Sequence, residues 1–218
     1  MKTYMKPLLV TATVVILVII AGAIWYAMSR PTPPEGAPAG PAQTVRENSH
    51  VLETGPDGAV TVVEFLDFEC EACGAAYPFV EELREQYAGQ ITYVVRYFPL
   101  PGHFNSMNAA VAAEAAGRQD KFEEMYHALF QSQSEWGEAR ESRADLFRSF
   151  AEDMGLDMAQ YDEDVADPTT TARVQSDFAE GEALGVSSTP TFFINDRQLT
   201  DLQSWSDVTD AIDAEIPQ

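Results

Sequence analysis

Cys70 and Cys73 are the only cysteines in this chain of 218 residues, and their spacing is the first feature that predicts chemistry. An apolar strand pattern, Val60 to Asp67, runs directly into the pair, and a helical pattern follows it. Two residues on one helical turn have α-carbons about 5 Å apart, a distance that a disulfide spans. The N-terminus of a helix stabilises a thiolate, the reactive form of cysteine. We therefore expect Cys70, nearer that end, to be the nucleophile and Cys73 to be the resolving thiol.

A zinc site and a structural disulfide are the alternative interpretations of this pair. Zinc takes four ligands, whereas the chain offers two thiols and three scattered histidines. A disulfide that closes so short a loop contributes little to stability. Redox chemistry is therefore favoured, with no metal and with no cofactor beyond the Cys70–Cys73 disulfide itself.

Composition limits the classes of protein to which the chain can belong. Its length and its 45% hydrophobic residues are typical of one medium domain with additional segments. The net charge is −22, and all 35 acidic residues lie beyond residue 30. Such a surface repels nucleic acid and anionic lipid, so neither is an expected partner.

The N-terminal segment predicts a membrane tether. Two lysines precede an uncharged run, Leu8 to Met28, that is long enough as a helix to cross a bilayer core of about 30 Å. We expect residues 1–30 to form a cytoplasmic tip and an uncleaved signal anchor, a cleaved signal peptide being the alternative. Residues 31–44 are rich in proline, alanine and glycine and predict a linker. Residues 45–218 would then form the folded domain outside the cytoplasm, at the cell membrane.

Hydrophobic patterns give the order of the elements in that domain. Strands are predicted at 50–53, 60–67, 91–98 and 191–194, with a short strand at 198–200. The strand, helix and strand from 60 to 98 predict a parallel unit. No strand pattern occurs between Pro99 and Gly185. Helices are predicted there at 107–117, 121–132, 138–154, 158–165 and 170–184, and a last one at 205–216. The fold class is thus α/β, with a helical insertion at about 100–185.

These features together resemble the DsbA-like branch of the thioredoxin superfamily, the thiol:disulfide oxidoreductases of the bacterial cell envelope. The resemblance lies in the cysteine pair after a strand, in Glu64 six residues before Cys70, in Thr189-Pro190 before a strand, and in the helical insertion. It covers the chain from about residue 45 to its end. It implies a thioredoxin-like mixed sheet, and the transmembrane helix predicted from the apolar run precedes it.

Glu64 corresponds to a buried acidic residue beneath the active site in that family. It lies in an apolar strand that we expect to be covered on both faces, where the pKa of a carboxyl rises. The implied role is that of proton acceptor for Cys73. A carboxylate that reaches solvent at the sheet edge is the alternative.

Thr189 and Pro190 match the cis-proline loop of the family. A cis X-Pro bond makes a sharp turn, so the Thr189 backbone would be exposed as an edge for an extended substrate. The alternative is an ordinary trans proline that opens a strand.

Glu71 and Ala72 depart from the best-known members, which have Pro-His between the cysteines. A negative charge replaces an imidazolium, so these two residues are expected to tune the pair toward a weaker oxidant than DsbA. His103 is interpreted as a solvated loop histidine, an approach to the active site being the alternative. His50 and His127 are interpreted as surface or partly packed, with no assigned role.

The resulting expectation is a membrane-tethered enzyme that introduces disulfides into exported proteins. The resemblance implies re-oxidation by a quinone-linked membrane protein, and a monomer is expected. The direction of electron flow stays open, because a disulfide reductase or isomerase would use the same fold. A third hypothesis is a non-enzymatic module that holds unfolded exported chains.

Overall fold

The computed structural model describes residues 41–216, in which five strands form one mixed sheet. The strand order is β1-β3-β2-β4-β5. The central strand β2 pairs in parallel with β3 and antiparallel with β4, so that Val63 lies level with Val94 and Phe193. The strand bounds are β1 His50–Glu53, β2 Val60–Leu66, β3 Ile91–Tyr97, β4 Thr191–Ile194 and β5 Arg197–Gln198.

Helices cover both faces of this sheet, and six of them follow one another between β3 and β4. The predicted thioredoxin-like mixed sheet with a helical insertion is therefore confirmed. The helix bounds are α1 Glu71–Gln86, α2 Ser106–Gly117, α3 Phe122–Gln131, α4 Gln133–Trp136, α5 Ala144–Asp153, α6 Met158–Ala166, α7 Pro168–Ala183 and α8 Ser206–Asp213.

Strand β2 is buried on both of its faces, which is why its sequence is nearly all apolar. Val62 and Leu66 belong to the larger core cluster, which also includes Cys73 of α1. Val63 and Phe65 belong to the smaller cluster on the opposite face. Because side chains alternate along a strand, Glu64 shares the face of Val62 and Leu66. The central strand therefore carries an acid into the larger core and leads directly to the cysteine pair.

The prediction of one helix over 138–154 is wrong before Ala144. Helix α4 ends at Trp136, and Glu138 has a positive φ of 59°, which an α-helix does not accommodate. Asn105 holds the backbone that follows in a non-helical course. Its amide donates to the carbonyls of Ala139 and Glu141, at 3.2 and 3.0 Å.

The N-terminal boundary of the domain, predicted at residue 45, stays a prediction, but the preceding residues contact the fold. The guanidinium of the buried Arg96 donates to the Thr44 carbonyl at 2.7 Å and to the Gln43 carbonyl at 3.2 Å. Thr44 is itself buried. The predicted signal anchor and most of the predicted linker lie outside the described residues. Within 41–216, no helix has both the length and the apolar character needed to cross a membrane.

Candidate active site

The two cysteines lie at the junction between β2 and α1. Cys70 is the N-cap residue of α1, with extended backbone angles, and Cys73 lies in the first helical turn. Both are free thiols and both are buried, with 6% and 1% of their surface exposed. The central strand thus delivers the pair to the end of the helix where unpaired N–H groups point outward.

The surroundings separate the acidities of the two thiols. A hydrogen bond with the Cys73 thiol lowers the pKa of Cys70 to about 5 and outweighs partial burial. The backbone N–H groups of Cys73 and Ala72 lower this pKa further. Burial raises the pKa of Cys73 well above its usual value, and the hydrogen bond to Cys70 and the charge of Glu64 act in the same direction. Cys70 is therefore the thiolate of the pair, and Cys73 stays protonated.

Thr189 and Pro190 lie against the nucleophile. The peptide bond between them is cis, and Cys70 Sγ lies 3.4 Å from the Thr189 carbonyl oxygen, to which the thiol form donates. The buried Thr189 hydroxyl has no hydrogen-bond partner among the residues that the structure describes. Pro190 also borders a cavity of about 490 Å³ that Leu202 and Trp205 line. The two residues thus form the wall that a chain attached to Cys70 would meet.

Glu64 lies inside the core, at 2% exposure, and not at a sheet edge. The interpretation of a solvent-reaching carboxylate is therefore wrong, because β2 is the central strand. Burial raises the pKa of Glu64 to about 7, although the Tyr93 hydroxyl, which donates at 2.6 Å, lowers it in part. A carboxyl with this pKa can accept or release a proton at neutral pH.

Glu71 and Ala72 are exposed, as expected for residues that face outward between two buried cysteines. The pKa of Glu71 is lowered, mainly by a hydrogen bond from its own backbone N–H. A hydrogen bond that Glu71 shares with Glu138 lowers it further. The same bond raises the pKa of Glu138. The negative charge predicted beside Cys70 is thus present, and it is paired with a second acid from the helical insertion.

The interpretation of His103 as a solvated loop residue is wrong. Its Nδ1 lies 2.6 Å from Asp67 Oδ2, and about a quarter of the side chain is exposed. His50 stacks on Phe122, with ring centroids 3.7 Å apart, and His127 lies within 2.9 Å of the Tyr77 hydroxyl. The latter two histidines are therefore partly packed, as predicted.

Gln133 is a site residue that the sequence did not indicate. Its side-chain amide donates to the carbonyls of Phe68 and Cys70, at 2.8 and 2.9 Å. A Cβ at Gly74 would overlap this side chain, so the glycine leaves room for the contact. A lone glutamine in a helical region carries no local signal of such a role. Helix α4 thereby holds the loop in which the nucleophile lies.

Within residues 41–216, no three or more histidine, cysteine or acidic side chains are arranged to hold a metal ion. The site is built from two thiols of different acidity, a buried acid and a cis-proline wall. These are groups that thiol–disulfide exchange uses.

Comparisons with known proteins give the class to which this fold and site belong. A family model described as Thioredoxin matches residues 53–214. The structure is similar to a thioredoxin-like oxidoreductase from Silicibacter pomeroyi DSS-3, at 31% identity and a TM-score of 0.66, over 79% of this chain and 95% of that one. It is also similar to α-DsbA1 of Wolbachia pipientis, at 21% identity and a TM-score of 0.67, over 78% and 92% of the two chains. The class is therefore a thioredoxin-like domain with a DsbA-type helical insertion. The chain belongs to the thioredoxin family.

The curated relatives that the chain matches are named as antiporters. The chain is 34% identical to the Na(+)/H(+) antiporter NhaA 1 of Mycobacterium sp. (strain KMS) over 194 residues, which are 85% of this chain and 30% of the antiporter. It is 43% identical to NhaA 1 of Salinispora arenicola (strain CNS-205) over 146 residues, 66% of this chain and 21% of that protein. The chain thus spans less than a third of the length of these relatives, and ion transport is not carried over to it.

Proposed function

We propose that this protein is a thiol:disulfide oxidoreductase that exchanges disulfides with other proteins through Cys70 and Cys73. The difference in pKa between the two thiols is the observation that carries the proposal. Cys70 titrates at about 5, whereas the pKa of Cys73 lies well above its usual value. The Cys70 sulfur is therefore a good nucleophile and leaving group at neutral pH, and the Cys73 sulfur keeps its proton until the resolving step.

In the oxidising direction, a substrate thiolate attacks Cys70 Sγ of the Cys70–Cys73 disulfide. The bond between the two protein sulfurs breaks, and Cys73 leaves and takes a proton from Glu64. A second substrate thiolate then attacks the substrate sulfur of the mixed disulfide, and Cys70 leaves as a thiolate. The substrate dithiol has lost two electrons and two protons. The protein holds the two electrons as the Cys70 thiolate and the Cys73 thiol, and of the two protons one restores Glu64 and the other goes to solvent. In the reducing direction, Glu64 accepts the proton of Cys73.

Thr189 and Pro190 are proposed to bind the substrate chain during these steps. The Thr189 carbonyl lies beside Cys70 Sγ, so an extended substrate segment would pair with this backbone while its sulfur is bound. Glu71 and Ala72 are proposed to tune the redox potential, since they lie between the sulfurs and one of them is charged.

The proposed cellular role is the introduction of disulfides into exported proteins. The charge-flanked apolar segment near the N-terminus and the proline-rich linker support a single-pass anchor with the domain outside the cytoplasm. A quinone-linked membrane partner would then re-oxidise the cysteine pair. The protein would act as a monomer. A membrane-tethered reductase or isomerase is the second candidate, because the pKa of Cys70 is compatible with either direction.

The activity is tested by comparing wild type with Cys70→Ser in two assays, reduction of insulin disulfides and oxidative refolding of a reduced protein. We expect the substitution to abolish both activities, because it removes the nucleophile. Faster turnover of wild type in refolding than in insulin reduction would favour the oxidase role, and the reverse would favour the reductase. Cys70→Ser protein that retains either activity would contradict the proposal, and one that only prevents aggregation would support the holding module.

The topology is tested separately with a Gln43→Cys variant in which both native cysteines are replaced by serine. Gln43 is exposed, so a thiol there is accessible. We expect an impermeant maleimide to label it in intact cells. Labelling only after lysis would show that the domain lies in the cytoplasm.

A further inference from the structure

A cavity of about 830 Å³ is lined by Glu69 and Glu71, the two residues that flank Cys70 in the chain. Three segments line it: the turn before α1, the loop after β3 and the loop between α4 and α5. Ionisable groups dominate the lining. They are Glu69, Glu71, His103, Glu138 and Arg140, and the exposed Phe104 completes the wall.

His103 is held in this cavity by a fixed carboxylate. Asp67 is fully buried, and its Oδ2 accepts from His103 Nδ1 at 2.6 Å. The same carboxylate accepts from the Ser106 hydroxyl at 2.7 Å and from the Leu100 N–H at 3.0 Å. Three groups within residues 100–106 thus hold the Asp67 carboxylate in place. The contact keeps the proton on Nδ1, so that His103 gains its positive charge at Nε2.

The charges around His103 favour its imidazolium form. Partial burial lowers the pKa of His103, but the hydrogen bond and the charge of Asp67 outweigh burial. The Cys70 thiolate and Glu69 also raise this pKa, so the net shift is upward. Glu71 and Glu138 face the same cavity from α1 and from the loop after α4. Arg140 brings a charge that does not titrate near neutral pH.

The interaction between His103 and Cys70 is reciprocal. If the Cys70 thiolate stabilises the imidazolium, the imidazolium stabilises the thiolate by the same free energy. The acids Glu69 and Glu71 act on the thiolate in the opposite sense. His103 is the titratable cation among the groups that line this cavity.

We propose that His103, oriented by Asp67, is a positioning residue that tunes the Cys70–Cys73 pair by its charge. It offsets the carboxylates beside Cys70, and its titration adds a pH dependence to the redox equilibrium of the pair. This inference rests on the proposed thiol–disulfide exchange, but ionisation of Cys70 can be measured without any substrate.

His103→Asn is the matched substitution, because its amide can donate to Asp67 from the position of Nδ1 but cannot carry a charge. In the reduced full-length chain, the ultraviolet absorbance of the thiolate gives the ionisation constant of Cys70. We expect this constant to fall about two- to tenfold in the variant. The equilibrium constant with glutathione at about pH 6 should shift toward the oxidised protein by a similar factor.

The pH dependence separates a charge effect from a structural one. The difference in the glutathione equilibrium constant between wild type and His103→Asn should be present at about pH 6. It should become smaller toward about pH 9, as His103 loses its proton. Glu64 and Glu69 also titrate with raised pKa values, but they are the same in both proteins and cancel in the comparison. His103→Lys keeps a cation up to high pH. Its equilibrium constant with glutathione should therefore still differ from that of His103→Asn at about pH 9.

His127→Asn is the control, since this histidine contacts Tyr77 and does not line the cavity. The Cys70 ionisation of this variant should match wild type. Equal Cys70 ionisation in folded wild type and His103→Asn would overturn the proposal. A difference in the glutathione equilibrium constant between wild type and His103→Asn that is equally large at about pH 6 and pH 9 would also overturn it. If His103→Asn does not fold, a His103→Lys variant whose equilibrium constant follows the wild-type pH dependence would overturn it instead. A wild-type protein without exchange activity, in which the ionisation of Cys70 still differs from that in His103→Asn, would count against the proposed function alone.

Discussion

Glu64 and Tyr93 form a polar pair within the apolar layer beneath the cysteines. Tyr93 is fully buried and donates to Glu64 Oε2 at 2.6 Å. This one hydrogen bond satisfies part of the carboxyl, and burial still raises its pKa to about 7. The pair therefore places a group that titrates near neutral pH next to Cys73. Above that pH the buried carboxyl is ionised, which lowers the stability of the domain.

Stability should fall as pH rises through the Glu64 titration. The pKa of this group moves from 4.5 to about 7 on folding, so the folded state binds the proton more tightly. The stabilisation is complete below pH 4.5 and is lost above pH 7, by about 3 kcal/mol. Urea unfolding of wild type and Glu64→Gln at about pH 5 and pH 8 should show that the variant lacks this loss. Glu163→Gln, at an exposed position, is the control, and equal losses in wild type and Glu64→Gln would contradict the assignment.

Glu71→His should make the protein more oxidising. It replaces an acid beside Cys70 by a group that is neutral or positive, so the thiolate and hence the reduced form are stabilised. Equilibration with glutathione measures the change, and Glu82→His, exposed further along α1, should leave the equilibrium unchanged. No shift in Glu71→His would show that the residues between the cysteines do not control the potential.

At the scale of elements, the helical insertion takes part in the site as well as covering the sheet. Helix α4 provides Gln133, which holds the carbonyls of Phe68 and Cys70. The loop after α4 provides Glu138, the partner of Glu71. The insertion therefore determines how rigidly the nucleophile is held and which charges lie near it.

Gln133→Leu should destabilise the protein by about 1–3 kcal/mol, because two partly buried carbonyls lose their donor. For a domain of this size, each kcal/mol lowers the Tm by about 2–4 °C. We expect disulfide exchange to slow as well, because the Cys70 loop is less well ordered. Gln131→Leu removes an exposed amide that donates to Tyr77 and should change neither quantity. Wild-type stability and exchange rate in Gln133→Leu would exclude a positioning role for this side chain.

At the scale of the whole domain, a buried ionic cluster joins the N-terminal segment, the sheet and α7. Arg96 of β3 is fully buried and donates to Asp177 and Glu180 of α7, each at 2.7 Å. The same guanidinium donates to the Thr44 carbonyl. Glu180 also accepts from the Gln43 N–H at 2.9 Å. The segment that enters the domain is thus fastened to the face of the sheet opposite the larger core.

Arg96→Met should destabilise the domain by about 3–5 kcal/mol, because two buried carboxylates lose a fully buried cation that they share. Urea unfolding measures the loss. Arg148→Met breaks an exposed pair with Asp162 and should leave stability unchanged within error. A loss in Arg96→Met no larger than in Arg148→Met would show that Asp177 and Glu180 are compensated by other cations.

Local sequence determined the parts of this protein that depend on neighbours in the chain. Alternation and apolar content predicted β1 to β4 to within a residue, because strand burial follows the side-chain period. The cysteine spacing placed both thiols on the first turn of α1, since three residues make almost one turn. The helical insertion was also predictable, whereas the course of residues 138–143 was not, because the contacts of Asn105 hold that backbone.

Only the tertiary structure decided which distant side chains surround the cysteines. Tyr93 reaches Glu64 across 29 residues of chain, His103 reaches Asp67 across 36, and Gln133 reaches the Cys70 carbonyl across 63. Each of these residues sits in a segment whose own pattern is ordinary. Their function depends on the closeness of polar groups in a buried environment, where one hydrogen bond or charge shifts a pKa. A periodic pattern records which face of an element is apolar, and carries no information on which polar groups meet there.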